Sequence, residues 1–389
     1  MSVISSTSTS PTASRAHRAR WYAPRLDTIR FVAFALVFLG HNLGRASFIP
    51  LAVRSETGPG EILGVIMFFV LSAYLIGRLL LIERSGTGTI SLRRYWPRRI
   101  LRIWPLYFTL VALVYVMAPV LRSAGHPLFL PAPSQLPYWV LFVDNWAAPI
   151  KSLPTSYLSM FWTVCLEEQV YFLFPLILLL PRRPMLVALA GLVVAGPVAC
   201  YATVRTAQPY PAVWNFTTSH LDSFGLGLLL AVAAAGHGFN RTWERIQNAI
   251  ESRSGVVALI VLTLGYLVCG AVVGPGFYEG YPTVCTYLAA SLLSAGWVIV
   301  ASSQRPLERM AARVGAWLGR RGYGLYAWHW PVLLALTQVS PLTRLGNLTV
   351  LGFAASLGLT LLLAIVSYRF LEVPFLRLRL RFQVVQNRL

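Results

Sequence analysis

The chain has 389 residues, 56% of them hydrophobic and only 12% charged, about half the charged share of a soluble domain. Its 33 lysines and arginines outweigh 13 aspartates and glutamates, giving a formal net charge of +20. The hydropathy excludes a soluble globular enzyme. The arginines sit between apolar runs, as the positive-inside rule requires, which argues against a nucleic-acid partner.

Residues 1–24 are Ser/Thr-rich and then basic ("STSTSPTASRAHRAR"). That composition predicts a disordered cytoplasmic tail. No small-residue cleavage site follows a short apolar core, so the first apolar run is expected to remain as a membrane helix. A span needs ~20 mostly apolar residues. Ten segments qualify, at about 27–46, 61–82, 103–121, 160–180, 185–203, 221–236, 255–273, 283–302, 323–340 and 349–370. An eleventh run, "LPYWVLFVDNWA" (136–147), is short and carries Asp144, so it is expected to be interfacial or re-entrant. With ten spans and both termini cytoplasmic, 27 of the 33 basic residues fall on the cytoplasmic side. The expected fold is therefore all-α and polytopic, with a core over 25–375 and a basic cytoplasmic tail over 376–389. The four cysteines form no Cys-x-x-Cys pair. They are expected to act as small buried hydrophobes, and no metal site is indicated.

Charges at membrane depth are costly and mark the places to look for chemistry. In "RLDTIRFVAFALVFLGHN" (25–42), Arg30 and His41 are eleven residues apart. That is three helical turns plus ~20°, so both face the same way, ~16 Å apart along the axis. Taken singly, Arg30 is equally an interfacial anchor and His41 a hydrogen-bonded interhelical histidine. "RRYWPRRILRIWPLY" (93–107) places Arg99 and Arg102 on one helix face beside Arg98. Such a cluster suits a multiply phosphorylated ligand, or is ordinary positive-inside charge.

In "FWTVCLEEQVYFLFP" (161–175), Glu167 and Glu168 sit inside an apolar helix at about the depth of His41. One of them is expected to face His41 and fix its tautomer, the other to pair with an arginine; which does which is open. Trp139 and Trp146, in the longest outer loop, are candidate stacking platforms for sugar rings. His220 and Asp222, at the outer end of a helix, are candidate acceptor contacts. His329 is either a ligand contact or part of a packed aromatic cluster. Arg369 and Glu372 are expected to form a helix-terminating ion pair.

These motifs, in this order, resemble the membrane-bound acyltransferase-3 family over roughly residues 24–375. The resemblance rests on five stretches. They are the Arg…His pair of the first helix, "GVIMFFVLSAYLIGRLL" (64–80), "RRILRIWPLY" (98–107), "FWTVCLEEQVYFLFP" and "YGLYAWHWPV". Thr28, Phe31, Ala73, Cys165 and Val373 depart from the family's usual residues without removing a charged position. The resemblance implies a bacterial inner-membrane enzyme with ten core helices. It would transfer an acyl group, usually acetyl, from an acyl-coenzyme A to a hydroxyl of a carbohydrate or a glycosylated product such as a macrolide. By resemblance, Arg30 and His41 form the catalytic pair, Arg99 and Arg102 the second motif, and Glu167 and Glu168 the third. Lacking the esterase-like domain of some relatives, the chain is expected to deliver the acyl group directly. The rival reading is a transporter or flippase of a lipid-linked sugar or antibiotic, which intramembrane charges also fit.

Overall fold

The computed structural model describes residues 23–48, 58–123, 125, 128–206, 211–236, 240–274, 280–302, 310–344 and 347–384. Nearly all of the expected N-terminal tail, residues 1–22, lies outside them. The described chain is helical. It runs α1 (Pro24–Gly44), α2 (Pro59–Thr87), α3 (Leu92–Ser123), α4 (Leu136–Val140), α5 (Asp144–Ile150), α6 (Trp162–Leu179), α7 (Arg182–Val204) and α8 (Ala212–Asn215). It continues through α9 (Leu221–Ala234), α10 (Asn240–Glu251), α11 (Arg253–Val273), α12 (Pro282–Ser302), α13 (Met310–Gly319), α14 (Gly322–Leu336), α15 (Val350–Ser367) and α16 (Val373–Arg379). A two-residue antiparallel pair, Thr343–Arg344 with Asn347–Leu348, joins α14 to α15.

Among the described residues, eight helices are long and apolar enough to cross a bilayer, so the protein is a multi-pass membrane protein. The other two expected spans are helical but short. α9 has 14 residues and α14 has 15, ~21–23 Å at the α-helical rise, against a hydrocarbon core of ~30 Å. The 136–147 run is no span: it breaks into α4 and α5 around Phe142, whose φ is 54°.

The bundle is organised around α2. Proline in its first turn starts it, and Gly88 in the left-handed region (φ 78°) ends it. It packs against α1, α6, α9, α11 and α12. At the periphery, α11 turns Val257, Val261, Leu262 and Val268 outward, as a lipid-facing helix must. Cys165 and Cys200 are buried as expected, whereas Cys269 and Cys285, on α11 and α12, are exposed on the outer surface.

Close approach of α1 to α2 depends on Gly64. A Cβ there would lie 2.6 Å from the carbonyl oxygen of Ala33 and 2.9 Å from a Val37 methyl. Small residues at such contacts let membrane helices pack without a hydrophobic drive. Gly64→Val is expected to cost about 1–3 kcal/mol, read as a lower thermal midpoint in detergent. Gly191→Ala, where a Cβ meets nothing within 4 Å, should leave the midpoint nearly unchanged. Equal midpoints for the two variants would refute this packing.

Candidate active site

A cavity of about 200 Å³ lies between the first turns of α1, the middle of α2, α3, α6, the start of α14 and α16. On α2 its wall runs from Val65 to Leu79, ~21 Å along the helix. One end is basic: Arg30, Arg99, Arg102, Arg320 and Arg379 face it, against the carboxylates of Asp27 and Glu167. The other end is apolar and aromatic, with Val65, Phe68, Phe69, Val164 and Tyr326.

The basic end is built largely by α3. Arg99 and Arg102, three residues apart, reach the cavity from one face of the helix. Arg99 lies against the rings of Tyr95 and Tyr171, 5.9 and 5.8 Å from their centroids. Its Nε is buried with no hydrogen-bond partner. Arg30 pairs with Asp27 one turn earlier, and its stem packs on Gly322. Arg98 turns away from the main cavity. Its Nη2 donates to Glu83 at 2.7 Å and its Nη1 to the carbonyl of Phe382 at 3.3 Å. Arg98 therefore faces a smaller side chamber, with its charge already matched by Glu83.

Glu167 and Glu168 diverge, as ~100° per residue requires. Glu167 accepts from Ser72 Oγ at 3.3 Å and lines the cavity. Glu168 accepts from Trp104 Nε1 at 3.1 Å. Neither is the partner of His41, which corrects the sequence expectation. That carboxylate comes from α2: His41 Nε2 is 2.8 Å from Glu61 Oε1, both side chains being almost fully buried. Matching depths on two helices could not reveal that α2, wedged against α1, brings its own acid closer. Sequence reasoning does not single out Glu61; the available signal was an acid opening a strongly apolar run.

On its other nitrogen, His41 meets His329 of α14. His41 Nδ1 and His329 Nε2 are 3.3 Å apart, with the two rings stacked at 5.4 Å. His329 is packed among the rings of Phe34, Tyr326 and His41. The tautomers follow from the partners. His329 Nδ1 is 2.5 Å from the carbonyl of Tyr326, and a carbonyl only accepts, so Nδ1 carries the hydrogen. A neutral His329 then accepts at Nε2 from the Nδ1–H of His41. That leaves His41 Nε2 facing a carboxylate, so one proton is shared between His41 and Glu61. Glu61 Oε2 is buried with no partner.

The histidine cluster lies one helical turn beyond the apolar end of the cavity, Glu61 being four residues before Val65 and His329 three after Tyr326. Tyr326, which lines the cavity and touches Phe68 edge-on at 5.7 Å, has its ring 5.2 Å from that of His329. Tyr326 is held by Thr163, whose hydroxyl lies 3.0 Å from the phenol oxygen. On the far side, the Trp330 ring is 4.9 Å from the His41 ring, and the Arg45 guanidinium is 5.7 Å from Trp330.

The expected acceptor residues do not converge on this centre. Trp139 is buried, its carbonyl accepting from Tyr107. Trp146 stacks on Phe216 at 4.5 Å and donates to Gln169. His220 is fully buried, stacked on Tyr287 and bonded to the carbonyl of Trp214. Asp222 accepts from Ser291 at 2.7 Å in the interior. These groups tie neighbouring segments together through the contacts just named. Asp144, at the start of α5, is buried as well, and burial pushes its carboxyl up to about 7. Glu372 lies in the field of Arg102 and Arg321 and makes no ion pair with Arg369 among the described residues. The π-helical turn Tyr368–Glu372 spoils the spacing that would have paired Arg369 with Glu372.

Residues 24–369 match the family model described as "Acyltransferase domain". Among curated proteins, the chain is 25% identical over 372 residues to a candidate O-acetyltransferase of Staphylococcus aureus (strain COL), covering 91% of this chain and 57% of that protein. It is 26% identical over 379 residues to YrhL of Bacillus subtilis (strain 168), a candidate peptidoglycan O-acetyltransferase, covering 91% and 55%. It is 24% identical over 375 residues to the peptidoglycan O-acetyltransferase OatA of Listeria monocytogenes, covering 92% and 56%. The chain thus spans little more than half the length of these relatives. No solved structure matches it.

Proposed function

The chain belongs to the acyltransferase family of bacterial membrane O-acetyltransferases, and from that premise we propose that it moves an acetyl group from acetyl-CoA to a carbohydrate hydroxyl, with His41 as general base. One observation carries this reading: the buried Glu61–His41–His329 chain stands one turn from the end of an arginine-mouthed cavity. The excess of arginines among basic residues flanking alternate spans supports a ten-span arrangement with the termini, and so the arginine mouth, on the cytoplasmic side. CoA is available on that side. Its phosphates fit the guanidinium cluster of Arg99 and Arg102, and the ~21 Å wall of α2 is of the length a pantetheine arm spans. Relatives named for peptidoglycan favour a carbohydrate acceptor over a macrolide.

In this scheme Glu61 has the orienting role that the sequence assigned to Glu167 or Glu168. The His41–Glu61 unit, without its shared proton, takes the proton of the acceptor hydroxyl as that oxygen attacks the thioester carbonyl. The C–S bond breaks, and the departing CoA thiolate receives the proton, which resets the base. The cavity wall at Tyr326 must open for the thioester to reach His41, which does not line it. Arg30, tied to Asp27, holds the first turns of α1 at the donor phosphates.

The direct test supplies labelled acetyl-CoA and peptidoglycan fragments or polysaccharide to the purified protein. Ester-linked label in the carbohydrate is the expected product. Lipid-linked sugar crossing a vesicle membrane without ester formation would instead establish the transport reading. A second prediction concerns the donor. Arg99→Ala and Arg102→Ala are each expected to weaken CoA binding about ten-fold or more, since each removes a charge-assisted contact. Calorimetry with unchanged affinity in both variants would remove these arginines from the donor site.

A further inference from the structure

The segment after α15 carries a cation that the donor site described above does not use. α16 packs against α3, and Arg379, in its last turn, lines the main cavity. Arg379 also lines the side chamber of about 40 Å³, with Glu83, Tyr95, Arg98, Arg99 and Gln383. The two chambers share Arg99, Arg379, Ile76 and Leu79. Arg379 and Arg99 are therefore the two cations at the junction between them.

Charge accounting shows what the junction lacks. Arg102, Arg99 and Arg98 all act on Arg379 as like charges, with the Tyr368 phenol also beside it. The described residues give no ion pair to Arg379, Arg99 or Arg102. The one acid in the side chamber is spent: Glu83 accepts from the Ser91 N–H at 2.8 Å through Oε1 and from Arg98 at 2.7 Å through Oε2. Half-buried like charges repel one another strongly when water is scarce. Such a cluster is relieved by an anion placed among its members. The same Arg98 also bonds the carbonyl of Phe382, which ties the segment bearing Arg379 to α3.

We propose that Arg379 and the side chamber, which adjoins the main cavity and shares Arg99 with it, form a phosphomonoester subsite that takes the 3′-phosphate of CoA. This rests on the acyl-CoA reading above. CoA carries its diphosphate and its 3′-phosphate on different carbons of one ribose, so the two groups require two adjoining anion pockets. Arg99 and Arg102 serve the diphosphate, and Arg379 the monoester. The C-terminal helix is then part of donor recognition, and the subsite distinguishes CoA from nucleotides that lack the third phosphate.

The test measures binding of CoA and of dephospho-CoA to the full-length protein in detergent, for wild type, Arg379→Gln and Arg379→Lys. Wild type is expected to bind CoA about ten-fold or more tightly than dephospho-CoA. Arg379→Gln should bind CoA only as well as wild type binds dephospho-CoA, with its dephospho-CoA affinity unchanged. Arg379→Lys, which keeps a point charge and loses the fork, should fall between and controls for misfolding. Equal loss for both ligands would assign Arg379 to the diphosphate and overturn the subsite. No change in Arg379→Gln would overturn it as well. Failure of wild type to bind either ligand would instead remove the acyl-CoA reading itself. Repeating the titration in phosphatidylglycerol micelles separates a nucleotide site from a lipid-headgroup site. Competition by lipid that Arg379→Gln abolishes would assign the chamber to the headgroup and overturn the proposal.

Discussion

Replacing His41 by glutamine is expected to lower acetyl transfer about 10²–10⁴-fold, the usual worth of a positioned general base, while CoA affinity stays within a factor of two or so of wild type. Glutamine is preferable to alanine for a physical reason. Its amide nitrogen reaches the place of Nε2 and can donate to Glu61, so the buried acid keeps a partner. His41→Ala would leave that acid alone, and breaking a buried pair from one side costs about 3–5 kcal/mol. A dead alanine variant could then merely be an unfolded one. Because His41 is not among the residues lining the cavity, its loss should spare donor binding. The check is single-turnover transfer from labelled acetyl-CoA beside a CoA titration on the same monodisperse sample. A glutamine variant that transfers at the wild-type rate removes His41 from the chemistry.

The second large effect is expected at Glu61, where Glu61→Gln should lower kcat about 10²-fold or more with little change in KM for acetyl-CoA. In the proposed mechanism the carboxylate stabilises the positive charge that develops on His41, which an amide of the same shape would not. Glu167→Gln provides the contrast. Glu167 lines the donor cavity and accepts from Ser72, so its loss should appear chiefly in KM. Glu168→Gln weakens the bond from Trp104 and acts on the packing of α3 against α6. Steady-state kinetics on the three variants separates the alternatives. Should Glu168→Gln abolish kcat and Glu61→Gln leave it intact, the carboxylate assigned from sequence would be right and the one assigned from geometry wrong.

Much of the architecture could be read along the chain. A bilayer penalises every unsatisfied peptide group, so long apolar runs must be helices. The runs containing Arg30 and His41, Arg99 and Arg102, and Glu167 and Glu168 are all helical where expected. Helical periodicity likewise placed Arg99 and Arg102 on one face, and separated Glu167 from Glu168, because both statements concern neighbours on a single helix. The errors arose between helices. Glu61 at the mouth of α2, His329 midway along α14 and Arg379 in α16 are 20, 288 and 277 residues from His41, His41 and Arg102 respectively. Which of several acids meets a histidine depends on the crossing of helices at small residues such as Gly64, and no local pattern encodes it.

Composition and charge order by themselves determined that this protein is a helical membrane protein, and the spacing of its intramembrane charges marked where chemistry belongs. Those properties follow from the cost of taking peptide groups and ions out of water, which acts residue by residue. Only the tertiary structure decided that Glu61 is the partner of His41, that His329 fixes its tautomer, and that polar residues such as His220 and Asp222 are buried ties. Contacts of that kind are set by the packing of separate helices, where a shift of one turn, ~5.4 Å, exchanges one carboxylate for another.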